Sequence, residues 1–192
     1  MIERPPTPAE QNILKIIPQY NFVTIDQIMR GLEIDPNLEK NIRGTQIKLK
    51  ALVESSYIYR IDRQHTGVKG KLKPAYHLSK KGQEYLRGLG IEATIYKPPS
   101  AGQLNHVLAV NDVILMAQEL VRLHEDIKLY QVMHDYELKE LQLSVTPDAF
   151  LIFTVKRPNH QEMFPILVEV DRGTESQTVI EKKIEAYVEF TR

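Results

Sequence analysis

The chain has 192 residues, no cysteine, and 25 Lys/Arg balanced by 25 Asp/Glu. That length fits one domain or two small ones, and the lack of cysteine removes disulfides and thiolate zinc sites. No apolar run approaches the ~20 residues of a membrane helix, and the N-terminus lacks the apolar core of a signal peptide, so the expectation is a cytoplasmic protein with no membrane partner.

In chain order, Thr7-Pro8-Ala9-Glu10 carries both a capping box and a proline at the first helical position, which predicts a helix start. Ile13, Leu14, Ile16 and Ile17 supply its apolar stripe, and Pro18 is expected to close it. A second capping box, Thr24 with Gln27, opens a short helix expected to end near Gly31. A third start at Asp35-Pro36 leads into a longer helix running to about Val53. Strands are predicted at Tyr57–Ile61 and Ala75–Leu78, joined by a basic, glycine-containing stretch with Gly67 and Gly70, and a further helix begins near Ser79. Three helices followed directly by such a hairpin read as a winged helix-turn-helix spanning 7–90.

The balanced charge conceals an asymmetry. Residues 38–87 hold twelve Lys/Arg against four Asp/Glu, whereas residues 102–192 hold nine against fifteen. A basic block of this size points to double-stranded DNA as the partner of the first domain. At 100° per residue the third helix turns Ile42, Leu49, Leu52 and Val53 inward, leaving Lys40, Arg43, Gly44, Ile47, Lys48 and Lys50 outward. The second helix of a helix-turn-helix lies in the major groove, so Lys40, Arg43, Ile47, Lys48 and Lys50 are candidate contacts. Arg63, Lys69, Lys71 and Lys73 of the wing, and Lys80 after it, complete the candidate DNA-binding set. Arg43 suits a bidentate contact with guanine because its fork matches adjacent acceptors. Winged-helix proteins often pair so that two recognition helices span one DNA turn, which makes a homodimer a further expectation.

Residues 91–101 contain a Pro-Pro pair and no helical period, and are expected to form a linker. A second domain, 102–192, then reads as a long helix over Gln103–Asp126, strands over 129–138, 145–155 and 164–170, and a helix from Thr174. Ile166-Leu167-Val168-Glu169-Val170 is apolar nearly throughout, which suggests a strand buried on both faces. The helix after it has no parallel strand to lead to, so the domain is expected to lack its last strand through truncation. Alternation places Glu169 and Asp171 on one face, and Asp148 opens the preceding strand. If those strands are neighbours, Asp148, Glu169 and Asp171 could converge on Mg²⁺, a hard ion that prefers oxygen ligands. The alternative for acids at strand ends is that they cap loops or pair with Arg172 or Lys183.

Several strings carry a resemblance. Thr45 to Arg60 resembles the recognition helix and first wing strand of bacterial winged-helix regulators. The strings His106-Val-Leu-Ala-Val-Asn-Asp112, Pro147-Asp148-Ala149 and Glu169-Val-Asp-Arg-Gly-Thr-Glu-Ser176, in this order, resemble the bacterial replication-relaxation family. The resemblance covers nearly the whole chain and implies a winged helix joined to a restriction-endonuclease-like domain. It also implies a part in replication or DNA relaxation of a plasmid or other mobile element, with replication proteins as possible partners. The αβββα order is similar to a truncated PD-(D/E)-x-K nuclease core, with Asp148 as the motif aspartate and Glu169 as the second acid. Asp171 stands where that motif has lysine, and Lys182 or Lys183 could reach back to replace it. The expected fold is therefore α+β, a winged helix followed by a nuclease-like α/β domain. The expected function is sequence-directed DNA binding in replication, relaxation or transcription control. A Mg²⁺-dependent endonuclease or nicking accessory using Asp148, Glu169, Asp171 and Lys183 is the alternative.

Overall fold

The computed structural model describes residues 4–34, 41–63, 73–173 and 176–190. Their elements run α1 (Pro8–Tyr20), β1 (Phe22–Thr24), α2 (Ile25–Ile34), α3 (Ile42–Glu54), β2 (Ile58–Ile61), β3 (Ala75–Leu78), α4 (Lys80–Gly88), α5 (Ala101–Leu123), β4 (Ile127–His134), α6 (Asp135–Glu140), β5 (Ala149–Lys156), β6 (Gln161–Val168) and α7 (Gln177–Phe190). The fold is α+β, with two three-stranded antiparallel sheets in the orders β1-β3-β2 and β4-β5-β6. The chain divides into two compact units, Met1–Leu115 and Met116–Arg192, so the boundary falls inside α5.

The first unit begins with the expected capping box. Glu10 accepts from the Thr7 backbone at 2.7 Å, and Arg4 grips the same carboxylate at 2.7 and 2.9 Å. The bond to Arg4 holds this buried carboxyl below its ordinary range. Helix α1 continues through Pro18 to Tyr20 rather than stopping at the proline. A proline in the last turn removes a single ladder bond, and the actual exit is Asn21 with φ of 65°. Gly31, expected to end α2, lies within it. A Cβ there would stand 3.1 Å from Ile16 Cγ2, so this glycine serves the close approach of α1 and α2.

Helix α3 is capped by Asn41, whose Oδ1 accepts from the backbones of Arg43 and Gly44. The expected start at Asp35-Pro36 lies outside the described residues. Its inward row is Thr45, Leu49 and Leu52. Ile42, expected to face the core, is 50% exposed, because it sits in the first turn, out beyond that packed row. Strand β1 was not foreseen, since three residues are too few to show alternation. It pairs with β3 in the register Phe22↔His77 and Thr24↔Ala75, and Thr24 then caps α2 in exchange with Gln27. In β3, His77 lies between the rings of Phe22 and Tyr59, with centroids 5.3 Å away on each side. Its burial lowers the imidazole pKa.

Residues 91–100 carry no regular secondary structure, yet they are bound to the first unit. Gln83 donates to Ala93 O at 2.6 Å, and Tyr96 packs against the cluster of Phe22, Ala75, Leu104 and Leu108. The first half of α5 is stitched to the same unit. Asn111 is fully buried and donates from Nδ2 to Tyr20 O at 3.1 Å and Phe22 O at 2.8 Å. Tyr20 O is one of the acceptors that the end of α1 leaves open and Phe22 O belongs to β1, so one amide serves both elements. Gln27 donates to Leu108 O at 2.7 Å and to Asp112 at 3.0 Å, and Arg30 pairs with Asp112 at 2.9 Å.

In the second unit, β5 is central and buries Ala149, Leu151 and Phe153, while α6 contributes Leu138. The strand expected over 129–138 ends at His134, where Glu137 caps the His134 backbone at 2.8 Å and starts α6. Strand β6 is an edge, with Phe164 and Ile166 more than 40% exposed, not a strand buried on both faces. The apolar run misled because it leaves out Pro165, just before it, and sheets confine proline to edges.

Two outcomes follow. Replacing Asn111 by Ala leaves the carbonyls of Tyr20 and Phe22 buried without their donor, at a cost of about 1–3 kcal/mol; a shift of the urea midpoint at constant slope is the readout. His77 has its folded pKa below the unfolded value of about 6.5. Its contribution to stability is therefore complete above that pH and declines as pH falls toward the lowered folded pKa. His77→Phe should flatten the difference between urea midpoints at pH 7.5 and 5.5; an unchanged difference would contradict this.

Candidate nucleic-acid interface and carboxylate cluster

Helix α3 places Arg43, Ile47 and Lys50 at i, i+4 and i+7, which makes them one exposed stripe. Ile47 is 63% exposed, a large apolar side chain offered to the outside. Beside this stripe lies an open groove of about 510 Å³, lined by Ile42, Gln46 and Lys50 of α3 and by Arg60, Lys73 and Tyr76 of the sheet region. Lys48 is half-buried, and Lys80 is exposed at the start of α4. A cation at that end opposes the helix dipole, so the helix itself gains nothing from Lys80. Lys40, Lys69 and Lys71 lie outside the described residues.

The cations around the groove are paired with the protein's own acids. Lys50 lies 3.8 Å from Glu54, Arg60 2.7 Å from Asp62, and Lys73 2.6 Å from Asp26. All six side chains are at least half exposed, where such pairs contribute at most about 1 kcal/mol each and yield readily to a better anion. Arg63 is placed differently from the other candidates. Its Nε donates to Asn105 Oδ1 at 3.1 Å and its Nη1 to Lys73 O at 3.4 Å, which ties the base of the hairpin to α5. Lys81 likewise turns inward, donating to Ser55 O at 3.0 Å and lying 4.5 Å from the centre of the Tyr57 ring. Asn41, Arg60, Gln46 and Tyr76 were missed by sequence reasoning. Arg60 was legible as a basic residue of a predicted strand, but the groove is a tertiary feature.

In the second unit, Asp148 precedes β5 and its Oδ2 accepts from Val170 N at 2.8 Å, while its backbone N–H donates to Val168 O at 3.0 Å. The two acidic strings therefore touch through the backbone. Glu169 accepts from Lys183 Nζ at 2.9 Å on one oxygen and from the Tyr187 hydroxyl on the other. Lys183 does reach back from α7, as the sequence allowed. Burial first, then the bond to Glu169 and the charges of Glu169 and Asp148, push the Tyr187 phenol pKa strongly upward. Tyr187 is absent from the sequence-derived site residues; its spacing of four from Lys183 on α7 was the available signal.

Asp171 lies in the loop after β6. Its Oδ1 accepts from Gly173 N at 2.9 Å, closing a turn in which Gly173 has φ of 71°. Strand β6 ends at Val168, so the alternation expected to align Glu169 with Asp171 does not extend to them. Among the described residues no three His, Asp or Glu side chains are grouped to hold a metal ion. Both oxygens of Glu169 are engaged, one of them by an ammonium group standing where a cation would bind. This donor set does not fit Mg²⁺.

A family model described as replication-relaxation matches residues 14–192. No curated protein and no solved structure gives a match. Among the described residues no helix is long and apolar enough to cross a membrane.

Proposed function

The chain belongs to the replication-relaxation family, and from that premise we propose that its first unit is a winged helix-turn-helix that holds double-stranded DNA during replication, relaxation or transcription control of a plasmid or other mobile element. In this reading α2 and α3 form the helix-turn-helix, α3 enters the major groove, and the β2–β3 hairpin is the wing. The observation that carries it is the exposed stripe of Arg43, Ile47 and Lys50 beside a groove edged by Arg60 and Lys73. Cations supply affinity by releasing counterions from phosphates, and the Ile47 side chain offers an apolar contact of the kind that reads a thymine methyl. Arg63 serves as an anchor of the hairpin rather than a phosphate contact. Asp26, Glu54 and Asp62 occupy the cations until phosphates displace them, which keeps the free protein from binding polyanions indiscriminately.

The test is duplex binding followed by fluorescence anisotropy across a salt series. Affinity should fall linearly on logarithmic axes, with a slope near −0.9 for each phosphate neutralised. Arg43→Ala should cost about 1–3 kcal/mol on the preferred duplex and less on an unrelated one. Asp26→Asn with Asp62→Asn should tighten binding to every duplex. A salt-independent affinity, or no effect of Arg43→Ala on any duplex, would contradict the reading.

A further inference from the structure

The surface formed by α3 and the groove beside it carries two kinds of polar side chain. The cations that edge the groove are paired within the protein, Lys50 with Glu54, Arg60 with Asp62 and Lys73 with Asp26. Arg43 and Gln46 differ from them. Both are exposed, and among the described residues neither side chain takes part in a hydrogen bond or an ion pair. Gln46 also lines the groove, together with Ile42 and Val53 of the same helix. At 100° per residue it lies about 60° around α3 from Arg43, on the flank that turns toward the groove. An exposed primary amide that the fold does not use presents a donor and an acceptor side by side on one planar group.

We propose that Gln46 is a specificity-determining residue that reads an adenine, in the base pair next to the one that Arg43 reads. This rests on the reading that α3 enters the major groove. Of the four bases, adenine alone offers there a donor, its N6 amino group, beside an acceptor, N7. Gln46 Oε1 accepts from N6 and its Nε2 donates to N7. Guanine presents two acceptors, thymine an acceptor and a methyl, and cytosine a lone donor, so each leaves part of the amide unsatisfied. Three residues advance a helix by about 4.5 Å, close to the step of about 3.4 Å between base pairs. Arg43 and Gln46 therefore fall over neighbouring pairs. The paired cations and the unpaired amide thus divide the work. Lys50, Arg60 and Lys73 exchange their acids for phosphates of any sequence, and Gln46, which carries no charge, contributes where the base is right.

The experiment uses the full chain. A random duplex library is selected by binding, and anisotropy titrations then compare all four base pairs at each selected position. The wild-type protein should require an adenine beside the guanine assigned to Arg43, and should bind the other three pairs there about 5–150-fold more weakly, the range for one bidentate contact. Replacing that adenine by 7-deazaadenine, which lacks the N7 acceptor, should weaken wild-type binding and leave Gln46→Ala unaffected. Gln46→Glu should shift the preference at that position to cytosine, whose amino group a carboxylate accepts. The slope of affinity against salt should be the same for Gln46→Ala and wild type, since no phosphate contact is lost. Selection with no adenine beside the guanine would overturn the assignment and leave the DNA-binding reading standing. A base preference unchanged in Gln46→Ala and Gln46→Glu, or a loss equal on every duplex, would do the same. If no duplex is bound at any salt concentration, both readings fall.

Discussion

The first unit depends on one buried amide. Asn111, on α5, supplies the donors for Tyr20 O and Phe22 O, the carbonyls left open where α1 gives way to β1. Buried acceptors of that kind are costly without partners, so α1 cannot end where it does unless α5 lies against it. The neighbouring residues add polar and apolar contacts, with Asp112 on Gln27 and Arg30, and Leu104 and Leu108 on Phe22 and Ala75. The string from His106 to Asp112, which carried part of the resemblance, is thus explained by packing. It fastens α5 to α1, β1 and α2, and it thereby sets the platform from which α3 is presented. Oδ1 of Asn111 finds no partner among the described residues, so the amide serves α1 and β1 through its nitrogen alone.

The two units handle charge in opposite ways. Around α3 and the β2–β3 sheet, exposed cations are held by nearby acids in pairs that are weak and easily exchanged. Around Glu169, a single carboxylate is shared by an ammonium and a phenol, with Asp148 close by, and the group is partly withdrawn from solvent. The first arrangement suits a surface that trades its own acids for phosphates. The second fastens α7 to the residue that follows β6, because ammonium and phenol both belong to that helix.

Most elements were legible from capping and periodicity. Thr7 with Glu10, and Thr24 with Gln27, marked true helix starts, since a capping box is satisfied within four residues and needs no tertiary information. Ala75–Leu78 was placed correctly for the same local reasons. Several of the failures involve partners distant in the chain. Gly31 looked like a stop and proved to be a close contact with Ile16. The apolar run at Ile166 looked buried and forms an exposed edge. In the segment 91–101 the Pro-Pro pair is visible in sequence, and the packing of Tyr96 against Phe22 and Leu104 is not. At the candidate sites, the outward face of α3 was legible from helical spacing, and a lysine returning to Glu169 was suggested, as Lys182 or Lys183, by the resemblance to a nuclease motif. The pairing of Arg63 with Asn105, the groove, and the phenol on Glu169 were not, because each joins residues with no periodic relation.

The central claim is that duplex DNA lies against α3 and the β2–β3 hairpin of the first unit. Backbone amide shifts of the isotopically labelled full chain, recorded while a duplex is titrated in, test it directly. The account predicts that shifts concentrate at Arg43–Lys50, Tyr59–Ile61 and Lys73–Tyr76, with Asn111 and Asp112 little moved. Shifts confined to the second unit, around Asp148, Glu169 and Tyr187, with α3 unmoved, would contradict it.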